Sequence, residues 1–233
     1  MRYKISNTAQ KEHLEHFTGL PLKYPNLYTP SSIITGFEET ILPIITSNNA
    51  AYIEYGIWGL LPDNYNDDWV EFQNIIDTLT ITLKDFRSNA LYKESVSLKR
   101  CVIVVTGFFT SYLHNGEMYP YYVYNSSGNP IYLAGYFNSL TDGFLTFTIL
   151  LSKASSCVQK IQNISDYMPK VLSCEEKDIW LNDVTPKDEI SSLTKKDCSL
   201  DLKAHPIAKE LYKMGISYNS MLEPAEYQDI PRV

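Results

Sequence analysis

Between Arg100 and Leu151 four apolar runs, rich in β-branched and aromatic residues, are separated only by short segments that each hold a turn signal. They are Arg100–Phe109, Tyr119–Tyr124, Ile131–Tyr136 and Leu145–Leu151, with turns at Asn115-Gly116, Ser126 to Asn129 and Asp142-Gly143 between them. Asn-Gly and Asp-Gly are hairpin signals, because the commonest two-residue turn needs positive φ, which Asn, Asp and Gly tolerate. A parallel pair needs a crossover of roughly a dozen residues or more. The spacing therefore predicts one antiparallel system and excludes a doubly wound nucleotide-binding sheet. Tyr52 to Gly59 alternates and adds a strand ending at Trp58-Gly59.

Helices are expected on both sides of this core. Thr8 to Phe17 reads as the first, with Thr8 as N-cap and Gly19 where a left-handed C-terminal residue belongs. The stretch from there to about Thr46 reads as irregular. Asp67 and Asp68 precede Trp69, Phe72, Ile75, Ile76 and Leu79, which share one helical face. Val158, Ile161 and Ile164 mark another, and Ser173-x-x-Glu176 has capping-box form. Thr185-Pro186, with Asp188 and Glu189, starts a further helix, and Pro206 and Gly215 bracket the last. Residues 1–233 read as a single α+β domain.

Composition narrows the function classes. Hydrophobic residues make up 44% and charged residues 20%, which excludes a disordered or coiled-coil chain. The net charge of −7 opposes nucleic acid, whose binders gain most of their affinity by neutralising phosphates, although a local basic groove is compatible with it. Nowhere do 18 apolar residues run together, and Met-Arg-Tyr-Lys-Ile-Ser lacks an apolar signal core. The expectation is a soluble, cytoplasmic protein without a membrane partner. Cys101, Cys157, Cys174 and Cys198 are too scattered for a zinc site and should stay reduced, Cys101 and Cys157 as buried structural thiols.

Standard catalytic motifs are missing: no Gly-rich phosphate loop, no G-x-S-x-G and no H-E-x-x-H. Ser192-x-x-Lys195 has serine–lysine spacing without its partner motifs. His13 and His16, flanked by Glu12 and Glu15, share one helical face, but a polar solvent face explains them as well as a metal does. His114 precedes a turn and His205 precedes Pro206. No metal or cofactor is implied.

Several segments nevertheless match one family in order. Ile57-Trp58-Gly59-Leu60-Leu61-Pro62, the run Lys99 to Phe109 ending Gly107-Phe108-Phe109, and the hairpin Asn115 to Tyr122 come first. Leu133-Ala134-Gly135-Tyr136, Thr146 to Leu150, Asp166 to Leu172 and Trp180-Leu181 follow. Together they resemble the SOS-response-associated peptidase (SRAP) family of abasic-site processing proteins. The resemblance implies an antiparallel, barrel-like β core with peripheral helices. It also implies a chemistry: an N-terminal Cys, exposed by Met removal, captures the aldehyde of an abasic site in single-stranded DNA as a thiazolidine. A Glu, a His and an Asn move protons and hold the opened sugar.

This chain departs from that pattern at each of those positions. Arg2 stands where the Cys belongs, Thr80 where the Asn does, Thr110 in place of the Glu and Ser165 in place of the His. Two expected DNA contacts are also replaced, an Arg by Thr82 and a Trp wedge by Ser111. Arg has no thiol, Thr is no carboxylate, and Ser does not titrate where His shuttles protons. The expectation is a fold released from its chemistry, with at most weak binding of single-stranded DNA through Arg2, Thr82 and Ser111. Two other readings remain open: covalent chemistry through the Arg2 α-amine, and a protein-interaction module unconnected with DNA.

Overall fold

The long run that begins near Arg100 is two strands rather than one, and the break between them organises the molecule. The computed structural model describes residues 3–88, 99–213 and 218–232. In chain order these form β1 (Lys4–Asn7), α1 (Lys11–Thr18), β2 (Ser31–Thr35), β3 (Ile41–Thr46), β4 (Asn49–Trp58), α2 (Trp69–Ile75), β5 (Thr80–Thr82) and α3 (Leu83–Ser88). Then come β6 (Lys99–Val105), β7 (Gly107–His114), β8 (Glu117–Asn125), β9 (Ile131–Ser139), β10 (Leu145–Lys153) and α4 (Ser156–Ile161). The chain finishes with β11 (Tyr167–Pro169), β12 (Val171–Leu172), α5 (Cys174–Leu181), α6 (Lys187–Lys195) and β13 (Leu202–Pro206).

Thr106 is the break. Its amide and hydroxyl both donate to the Ser6 carbonyl (2.8 and 3.1 Å), while its hydroxyl accepts from the Thr8 amide (3.0 Å). Before it, β6 joins an eight-stranded sheet; after it, β7 joins a five-stranded sheet ordered β13-β8-β7-β1-β2. Gly107 follows because a Cβ there would lie 2.4 Å from the Val123 carbonyl oxygen. The single antiparallel system expected from the sequence is thus two sheets. Every pairing among the four runs is antiparallel: β7 with β8, β6 with β9, and β9 with β10. The turn at Ser126 to Asn129 carries the chain between sheets instead of closing a hairpin, because β13 takes the outer edge of β8.

In the larger sheet, β4, β3, β6, β9 and β10 pair in a cycle. It closes only through a short parallel contact, Thr146 with Ile57 and Phe147 with Trp58, so barrel-like describes it loosely. A second parallel pairing sets β5 beside β10. Apolar side chains between the sheets and under the helices form the core. Trp58 and Trp180 are fully buried, and their indole N–H groups donate to the carbonyls of Leu79 and Cys101 (2.8 Å each). Burial pushes the Cys101 thiol well up, which leaves it inert.

Local signals succeed where they are chemical and fail where tertiary pairing decides. Asp68 caps α2 through the Glu71 amide (3.0 Å), Ser173 and Glu176 form the expected capping box, and Gly19 ends α1 at φ 71°. Helix α1 begins at Lys11, after Gln10, because the Thr8 amide is drawn to Thr106. β2 and β3 lie in the stretch read as irregular; most of β3 is buried, and it contains Pro43, so no alternation shows. Pro206 ends β13 instead of starting a helix, with a short 3₁₀ turn at Lys209–Tyr212 after it, and Gly215 lies outside the described residues. Among the described residues no helix is long and apolar enough to cross a membrane.

Candidate functional site

Strand β7 carries Phe108, Thr110 and Tyr112 on one face and Phe109 and Ser111 on the other, as pleating requires. Facing Thr110 is the loop between α4 and β11. Helix α4 starts at the Ser155 cap and stops at Gln162, whose backbone turns extended. The Gln162 side chain then holds the loop. Its amide nitrogen donates to the carbonyls of Ser165 (2.5 Å) and Tyr167 (2.9 Å), and its oxygen accepts the Thr110 hydroxyl. Asn163 adds a second clamp, bonding both the amide and the carbonyl of Leu113 (2.8 Å each). Between strand and loop lies a cavity of about 270 Å³, walled by Tyr3, Phe108, Thr110, Gln162, Ser165 and Tyr167 among others.

Among the described residues no Asp, Glu, Lys, Arg or His lines this cavity. Thr110 is 3% exposed and Ser165 is exposed. The Ser165 hydroxyl accepts the Tyr167 amide (3.1 Å), an ordinary Ser turn. Tyr3 donates its hydroxyl to Asp77, tying the chain beside the cavity to the segment that leads into β5.

The structure brings Thr110, Ser111 and Ser165 to this cavity and leaves two other expected positions elsewhere. Ser111 is fully buried and accepts the Tyr212 hydroxyl (2.9 Å); burial pushes that phenol up to about 12. Thr80 pairs with Ile149 on β10, and Thr82 opens α3 by accepting the Asp85 amide (3.2 Å). Neither Thr80 nor Thr82 lines the cavity. Arg2 lies outside the described residues. The residue that sequence reasoning missed is Gln162. Nothing local marks it, since a Gln after an apolar helical face is ordinary and only the approach of β7 gives it a partner.

The remaining motifs lie apart from the cavity. His13 and His16 are exposed on α1, as are Ser192 and Lys195 on α6. His205 donates to the Leu222 carbonyl (2.7 Å), and His114 sits beside Asn115 at the β7–β8 turn. Cys157 is only half-buried, short of the full burial expected, and Cys174 is exposed. Among the described residues no three His, Cys, Asp or Glu side chains gather as metal ligands.

The comparisons with known proteins agree on what this architecture is. The family model for SOS response associated peptidase matches residues 2–214. An abasic site processing protein of Bacillus subtilis is 27% identical over 176 residues, covering 73% of this chain and 77% of that protein. One from Saccharomyces cerevisiae is 24% identical over 133 residues, covering 56% of this chain and only 35% of the longer yeast protein. The crystal structure of a Bacteroides thetaiotaomicron protein superposes with a TM-score of 0.83 at 24% identity, over 96% of this chain and all of that one. On the strength of the match across residues 2–214, the chain belongs to the SOS response associated peptidase (SRAP) family.

Proposed function

We propose that this chain is a catalytically degenerate SRAP protein that binds single-stranded DNA weakly and reversibly instead of crosslinking to abasic sites. Two relatives carry the name of abasic site processing proteins, which supplies the DNA partner. The observation that carries the reading is the neutral clamp of Thr110, Gln162 and Ser165. Covalent capture of an aldehyde needs a nucleophile and a group that delivers and removes protons as the carbonyl opens. A Thr hydroxyl and a carboxamide do neither near neutral pH. Arg2, in the position of the family's Cys, supplies no thiol. Binding is expected to be weak because Thr82 offers no positive charge to a phosphate and the net charge is −7.

The test is incubation with single-stranded DNA bearing one abasic site, followed by a denaturing gel and intact mass. The expected result is no adduct, with binding seen only under native, low-salt conditions. A covalent adduct of this chain with the opened sugar overturns the proposal in favour of chemistry through its own α-amine. No binding at low salt overturns the DNA-reading part.

A further inference from the structure

The mouth of the Thr110 cavity is apolar and aromatic. Tyr167 and Ile164 line it and are 44% and 45% exposed. Tyr3 also lines it, and Phe37, 55% exposed, packs edge-on against the Tyr3 ring with centroids 5.2 Å apart. Inside, the polar groups are already engaged with one another. Gln162 uses its amide nitrogen on two carbonyls and its oxygen on Thr110, whose hydroxyl proton is thereby committed. A base-less sugar entering here exchanges water for walls with few open partners, which costs affinity. A flat, uncharged ring instead finds aromatic faces at the rim, and the Thr110 oxygen still has lone pairs for an amino group on the ring edge.

Resting on the DNA-reading role proposed above, we infer that this cavity takes up an intact nucleobase extruded from single-stranded DNA, in preference to a base-less deoxyribose. Tyr167 and Tyr3 are the stacking walls, with Phe37 buttressing Tyr3 from outside the cavity. The phosphates stay outside, since none of the described lining residues carries a charge. The site thus discriminates by the π-face that abasic DNA lacks.

Two fluorescently tagged pentamers test this at low salt by anisotropy: five deoxyadenosines, and five tetrahydrofuran abasic units with the same phosphates. The deoxyadenosine pentamer is expected to bind about tenfold tighter or more, the scale of one base stacked on an aromatic ring. Tyr167→Ala and Phe37→Ala, both at exposed positions, should remove most of that preference and leave binding of the abasic pentamer unchanged. Equal or tighter binding of the abasic pentamer overturns this inference while the DNA-reading role stands. A preference that persists in both variants overturns it too, by placing base recognition elsewhere. If neither pentamer binds, the DNA-reading role falls and this inference with it.

Discussion

Gln162 ties the Thr110 hydroxyl to the carbonyls of Ser165 and Tyr167 by three hydrogen bonds. Removing it leaves the buried Thr110 hydroxyl without its partner, so Gln162→Ala should cost about 1–3 kcal/mol in urea denaturation. Gln162→Glu sets a carboxylate against the carbonyls of Ser165 and Tyr167. Its pKa in the folded state then rises above the unfolded value near 4.3, so the folded state binds more protons. That variant should therefore lose stability as pH rises from about 4 towards neutrality, a slope the native protein lacks there. Restoring the family chemistry also meets this glutamine. Arg2→Cys alone should react with abasic DNA little faster than a free N-terminal Cys peptide, since general acid–base groups contribute roughly 10²–10⁴-fold. Adding Thr110→Glu should help most, and more still with Gln162→Ala to open space for the carboxylate. Ser165→His should then add non-additively in adduct rates on denaturing gels. Full activity from Arg2→Cys alone counts against the degenerate-site proposal.

At the scale of elements, the approach of β7 to β8 depends on one missing side chain. A Cβ at Gly107 would lie 2.4 Å from the Val123 carbonyl oxygen and 2.5 Å from the Tyr122 ring. Backbone cannot yield as a flexible side chain does, so Gly107→Ala should destabilise by roughly 3 kcal/mol in urea denaturation. Helix α5 is anchored differently. Its Glu176 carboxylate is nearly buried, and burial, the largest single influence, acts to raise its pKa. The Lys196 ammonium (2.8 Å), the Ser173 amide (3.0 Å) and Lys170 together outweigh burial and hold it below the usual carboxylate range. A depressed folded pKa gives stability that is present above the unfolded value and lost as pH falls through the folded one. Stability should thus decline below about pH 4.3. In Glu176→Gln that acid-side decline should be shallower, with lower stability at neutral pH, as followed by thermal melts across pH.

For the whole molecule, charge works against the proposed partner. A chain of net charge −7, whose proposed recognition cavity has no charged group among its described lining residues, gains little from releasing counterions. Binding to single-stranded DNA should be micromolar or weaker in physiological salt and at least tenfold below that of a family member with the Arg and Trp in place of Thr82 and Ser111. A titration giving submicromolar, salt-sensitive binding under those conditions contradicts this.

What was legible in the amino-acid order is what short-range chemistry decides. Turn residues at Asn115-Gly116 and Asp142-Gly143, caps at Asp68 and Ser173, and the left-handed end at Gly19 act within a few residues, so they survive any tertiary context. The ordered family segments likewise pointed to the fold that the family match and the superposition bear out. Tertiary structure alone decided the rest. Thr106 divides one apolar run between two sheets because Ser6 and Thr8 bond to it, and those contacts span about a hundred residues. Parallel pairing of β5 and β4 with β10 leaves no mark in the sequence, because alternation tells which face of a strand is buried and not which way its neighbour runs. Gln162 became part of the site for the same reason: a hydrogen bond between side chains far apart in sequence has no signature until the fold brings them together.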